Sequence, residues 1–150
     1  MAQIAKISQQ VQLKCCGHKF YEFFKNKMEC VFQMFPEICC SWKVLEGNEF
    51  SHVRVIHLKY VVGSPKEGKT KVTVDDANKS ITFECVEGDV LRDFEVFQMK
   101  IEVVENGSNG SSANWSVEYV KANEDVAPPY NYLLCGAKVS KGLDEYLCNS

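Results

Sequence analysis

The run from Ile81 to Asp125, ITFECVEGDVLRDFEVFQMKIEVVENGSNGSSANWSVEYVKANED, constrains the fold more than any other part of the chain. A short alternating strand ends in Glu87-Gly88-Asp89, a longer one follows, and the loop NGSNGSS leads into the strand WSVEY. Ile81, Phe83 and Cys85 share one face, with Thr82 and Glu84 on the other; Phe97, Met99, Ile101 and Val103 oppose Gln98, Lys100 and Glu102. Alternation with period two and short turns describes an antiparallel meander with one wet face. A helix-like tail completes the chain. The layout points to a curved sheet gripping a helix, with an apolar space between them.

Upstream, Ile4 to Cys15 reads as a strand with Ala5, Ile7, Val11 and Leu13 on one parity. His18 onward carries aromatics at helical spacing, although Cys16 and Gly17 make a poor helix start. A second short helix, Lys27 to Met34, stops near Pro36. Phe20, Phe23, Phe24, Phe32 and Phe35 are expected to face inward from this pair. Further strands follow at Ser41 to Leu45, His52 to Val62, Lys69 to Val74 and Ser80 to Glu87, separated by Gly- and Asn-containing turns. In the tail, Pro128 to Cys148, a helical stripe of Tyr130, Leu133, Leu134, Ala137 and Leu147 is expected to pack on the sheet. Gly136 and Gly142 each cost about 1 kcal/mol relative to alanine in a helix, so a bendable helix is expected.

A chain of 150 residues suits one domain, 1–150, with a sizeable core. Its net charge of −3 and scattered lysines argue against nucleic acid as a partner. No run approaches the ~18 apolar residues of a membrane span, so no integral membrane association is expected. The N-terminus lacks the apolar core of a secretory signal, so for a complete chain a cytoplasmic location is expected, with the nucleus as the alternative. The eight cysteines, four of them in adjacent pairs, then read as reduced core residues. The sequons at Asn78, Asn106, Asn109 and Asn114 read as turn and strand chemistry. No CxxC pair, GxSxG, Walker or dinucleotide glycine motif occurs, so no metal and no cofactor is expected.

The order strand, two short helices, six strands, long helix carries further marks. These are Lys19-Phe20-Tyr21-Glu22, Leu45-Glu46-Gly47-Asn48, Lys59-Tyr60, Asp75-Asp76-Ala77-Asn78-Lys79-Ser80-Ile81-Thr82-Phe83, Glu87-Gly88-Asp89, Phe97, Trp115 with Glu118-Tyr119, and Asn123-Glu124-Asp125. In this order over nearly the full length, the chain resembles the major latex protein branch of the Bet v I (birch-pollen-allergen, pathogenesis-related class ten) superfamily of plants. The resemblance implies an α+β helix-grip fold: a seven-stranded curved antiparallel sheet around a long C-terminal helix, with two short helices and an apolar cavity. It implies a hydrophobic small molecule as partner, such as a lipid, a steroid or a terpenoid or alkaloid metabolite. Some relatives in the wider superfamily are cofactor-free cyclases or isomerases, and a ligand-dependent protein partner is a third reading by analogy. One departure stands out: Asn48-Glu49-Phe50-Ser51-His52-Val53-Arg54 holds no glycine where relatives are glycine-rich. A phosphate-binding role for that loop is therefore not carried over.

Strand parity and helix spacing nominate the ligand-binding wall: Ile56, Leu58 and Tyr60; Phe83 and Cys85; Phe97, Met99 and Ile101; and from the helices Phe24, Phe35, Leu133, Leu134 and Ala137. The alternative is that these side chains fill a solid core; the resemblance favours a pocket. His52 and Arg54 share parity with Ile56, Leu58 and Tyr60, which aims both at the cavity mouth. There the histidine could act as acid or base and the arginine could orient a carbonyl, with Tyr60 a further catalytic candidate. Otherwise both are solvated rim residues. His57, of opposite parity, and His18, at a helix start, are expected at the surface.

Overall fold

The computed structural model describes residues 3–48 and 51–149. Alternating side chains set its sheet: β1 (Ala5–Leu13), β2 (Cys39–Glu46), β3 (Val53–Val62), β4 (Ser64–Asp75), β5 (Ser80–Gly88), β6 (Phe94–Glu105) and β7 (Ser111–Lys121). These strands are all antiparallel, in the order β1-β7-β6-β5-β4-β3-β2. Each strand from β2 onward pairs with its neighbour in sequence, while β1 crosses to β7, from Ala5 opposite Tyr119 to Leu13 opposite Ser111. Helices α1 (Gly17–Asn26) and α2 (Met28–Met34) follow β1, and the long α3 (Tyr130–Cys148) lies in the grip of the sheet. The result is the α+β helix-grip fold.

Two stretches expected as turns belong to strands. β4 begins at Ser64 rather than Lys69, because the chain reverses at Gly63 (φ +75°). Pro65 pairs with Val61 in a part of β4 that β5, which begins pairing at Gly68, does not reach, so its missing N–H leaves no gap in the ladder. Ser111 and Ser112, expected in the loop, open β7 and are buried. Ser111 has a task there. α1 has no local side-chain cap, and Ser111 Oγ accepts the N–H of Gly17 (2.9 Å) while Glu105 Oε1 accepts that of His18 (2.8 Å). The free N–H groups of the helix start are thus satisfied from the β6–β7 hairpin.

α3 is tied down mainly by its C-terminal half. The buried Asp144 carboxylate accepts the backbone N–H groups of Lys14 (2.8 Å) and Cys15 (2.9 Å). Lys19 Nζ donates to the Leu147 carbonyl at 3.1 Å. The buried face of α3 includes Tyr132, Leu133, Gly136, Ala137, Ser140, Leu143 and Leu147, whereas Tyr130 and Leu134 are exposed, against expectation. At 100° per residue, Leu134 lies on the side of the helix opposite Tyr132 and Gly136, so it cannot share their contacts. The helix runs unbroken through both interior glycines, and each lies in close approach to a ring. A Cβ on Gly136 would sit 2.7 Å from Trp115 Cδ2, and one on Gly142 would sit 2.6 Å from Phe35 Cζ.

Of the inward aromatics, Phe20, Phe24 and Phe35 are buried, while Phe23 and Phe32 are half-buried against Tyr146 and Trp42. The cysteines divide. Cys39 is buried, but its strand neighbour Cys40 points the other way and is exposed, as are Cys16, Cys30 and Cys148. The core reading therefore fails for these four.

Candidate functional site

The concave face of the sheet is filled unevenly. One region is solid, packed with Ile56, Val72, Val74, Ile81 and Ile101. Beside it the walls part to leave a cavity of about 160 Å³. Leu58, Tyr60 and Val62 of β3, Phe83 and Cys85 of β5, and Phe97 and Met99 of β6 form the sheet side. Thr70 and Trp115 add one residue each from β4 and β7. Phe24 of α1, Val31 and Phe32 of α2 and Phe35 just after it close the cavity, with Ile38 and Cys39 beyond them. Tyr132, Cys135, Gly136 and Val139 form the α3 side. An apolar space of this volume is large enough to take up a molecule such as benzene.

Eight of the nominated residues, Phe24, Phe35, Leu58, Tyr60, Phe83, Cys85, Phe97 and Met99, stand on this wall. Ile56, Ile101, Leu133 and Ala137 are buried but belong to the solid part of the core. Leu134, 61% exposed, faces away from the site altogether. Sequence reasoning missed Tyr132, Cys135, Gly136 and Val139, although their spacing of three, four and seven from Tyr132 is that of one helix face. Cysteine and glycine made the stripe look less apolar than its neighbour.

Polar chemistry on the wall is sparse. The Tyr60 and Tyr132 hydroxyls lie 2.9 Å apart, their rings edge to face, and the Phe97 ring packs 4.6 Å from that of Tyr132. Burial pushes the Tyr60 phenol up to about 12 and that of Tyr132 higher still, so both are neutral at physiological pH. Burial likewise raises the thiols of Cys39, to about 12, and of Cys85 and Cys135, which keeps them protonated and unreactive. The Trp115 indole N–H is committed to Ser140 Oγ at 2.7 Å.

His52 and Arg54 do not line the cavity. Arg54 is buried and donates from Nη2 to the Lys25 carbonyl at 3.4 Å. His52, exposed, meets Asp76 Oδ2 at 2.8 Å. The β4–β5 turn brings Asp76 to His52, and its carboxylate also accepts from Tyr21 (2.7 Å) and Lys25 (3.0 Å). Hydrogen bonds from Tyr21, His52 and Lys25 hold that carboxyl well below the usual range. Parity aimed both residues at the mouth, but an ionised carboxylate in reach draws the histidine outward. His57 pairs with Glu67 at 2.7 Å, half-buried, and His18 is exposed. Residues 49 and 50 of the glycine-poor segment lie outside the described residues. Among the described residues no group of three or more His, Cys, Asp or Glu side chains could hold a metal ion. No helix there is long and apolar enough to cross a membrane.

The model of the pathogenesis-related protein Bet v 1 family matches residues 2–150. Major latex protein 146 of Papaver somniferum is 30% identical over 150 residues, covering 98% of this chain and 93% of its own. MLP-like protein 43 of Arabidopsis thaliana is 31% identical over 147 residues, covering 96% and 93%. Among solved structures, ginseng major latex-like protein 151 from Panax ginseng superposes with a TM-score of 0.87 at 26% identity, covering 95% of this chain and 97% of that one. Norcoclaurine synthase from Thalictrum flavum, in complex with dopamine and hydroxybenzaldehyde, shares the fold with a TM-score of 0.81 at 13% identity, covering 99% and 88%. In sequence over its whole length and in its sheet wrapped around α3, the chain belongs to the Bet v 1 family, in its major latex protein-like branch.

Proposed function

We propose that this protein binds a small hydrophobic molecule, of lipid, steroid or terpenoid or alkaloid type, between the sheet and α3. The observation that carries this reading is the void of about 160 Å³ with almost wholly apolar walls. Filling it is favourable because both wall and guest leave water: a guest hiding ~200 Å² of apolar surface gains roughly 5 kcal/mol before association costs. The volume suits a single-ring guest. Titration with a panel graded in size, from monoterpenoids through fatty acids to steroids, tests this. Saturable binding that favours the compact members is expected, and no saturable binding anywhere in the panel sinks the proposal.

A second reading, a cofactor-free cyclase or isomerase of reactive metabolites, is favoured by one observation, the hydroxyl pair of Tyr60 and Tyr132 on an otherwise apolar wall. A phenol held in a dry site can polarise a carbonyl while the cavity folds the chain behind it. The fold shared with norcoclaurine synthase is compatible with it. Incubation with iridoid dialdehydes decides: product ratios equal to those of the protein-free reaction exclude catalysis.

A further inference from the structure

We infer that the Tyr60–Tyr132 pair is the polar anchor of the cavity and selects an uncharged apolar guest carrying a carbonyl oxygen. This rests on the binding reading and adds to it a chemical class. Each phenol owns one proton. The bond between the two hydroxyls, 2.9 Å long, uses one of them and leaves the other to be donated. Both residues stand on the cavity wall. The remaining polar groups there are weaker candidates. The Trp115 N–H is taken by Ser140, the Cys85 thiol faces the Glu87 carbonyl at 3.7 Å, and the Cys39 and Cys135 thiols are poor donors. The Thr70 hydroxyl is the one rival.

The donor left over asks for an acceptor. A carbonyl meets that need without bringing a proton of its own that apolar walls would leave unbonded. The described wall carries no Lys, Arg or His, so carboxylates and phosphates would enter without a counter-charge and are rejected. The two tyrosines reach this place from β3 and α3, so the anchor also spans the two layers that a guest must separate.

Acetophenone and α-methylstyrene, which differ in C=O against C=CH₂ at one size, provide the test. Calorimetric titration compares the full chain with the double variant Tyr60→Phe, Tyr132→Phe. Removing both members of a buried hydrogen-bonded pair is close to neutral for folding, and thermal unfolding checks this. The double variant is expected to bind acetophenone about tenfold more weakly and α-methylstyrene unchanged. In the unaltered chain, the carbonyl stretch of bound ¹³C-labelled acetophenone is expected below its frequency in cyclohexane. Equal weakening of both compounds, an unshifted stretch, or selective loss in Thr70→Val instead would overturn the anchor while leaving a binding cavity. Binding of α-methylstyrene without acetophenone would do the same. Failure of the unaltered chain to bind either compound would remove the binding reading for guests of this size, and the anchor with it.

Discussion

Gly136 and Gly142 occupy interior helical positions where alanine is ordinarily better by about 1 kcal/mol. At Gly136 the gain cannot be realised. Trp115 is buried with its indole N–H bonded to Ser140, so its ring cannot retreat from a Cβ that would lie 2.7 Å away. Gly136→Ala is expected to lower stability by about 1–3 kcal/mol, seen as a lower urea midpoint at unchanged slope. Unchanged stability would mean that Trp115 has room. At Gly142 the obstacle is the outer end of the Phe35 ring, which borders the cavity and can turn into it. Gly142→Ala is therefore expected to cost little stability but to shrink the void, so affinity for the larger panel members should fall first. Asp144 answers to a different term. Asp144→Ala strips two backbone N–H groups of a charged partner in a buried place, and a loss of about 2–3 kcal/mol in chemical unfolding is expected.

The elements differ in how far they could be read from sequence. Strand parity is rigid, since side chains alternate faces without exception along a regular ladder, and it found Leu58, Tyr60, Phe83, Cys85, Phe97 and Met99. It could not show where the filled core stops and the void begins, which is why Ile56 and Ile101 were nominated beside them. α3 offered two stripes on roughly opposite sides, and hydrophobicity favoured the one through Tyr130 and Leu134, both exposed. Packing chose the other because it contains the glycines that let the helix come close to Trp115 and Phe35. The start of α1 looked poor for a sound local reason: its caps lie 94 and 87 residues away. Ser111→Ala and Glu105→Ala should each cost about 1 kcal/mol, with faster amide exchange concentrated at Gly17 and His18. Exchange that rises evenly over α1 would argue against capping.

Taken as a whole, the protein is bounded in pH from both sides by groups already described. Cys39 has its proton held to about 12 in the fold against 9.0 in the open chain, and Tyr60 to about 12 against 10.0. The folded state binds these protons more tightly, so stability is complete below pH ~9 and is lost progressively as pH rises toward ~12. Asp76 works in the opposite sense. Its lowered pKa gives stability that is present above 3.8, its value in the open chain, and is lost as pH falls below it. The melting temperature is expected to decline at both extremes, with Cys39→Ala flattening the alkaline limb and Asp76→Asn the acid one; equal slopes in the variants would refute the assignments. The pairing of β1 with β7, together with the capping of α1 by Ser111, also has a consequence in time. A chain made from its N-terminus holds its first strand without a sheet partner, and its first helix without its full cap, until β7 has emerged, and contacts so distant close slowly. The opening residues are therefore the first to be made and among the last to find their places.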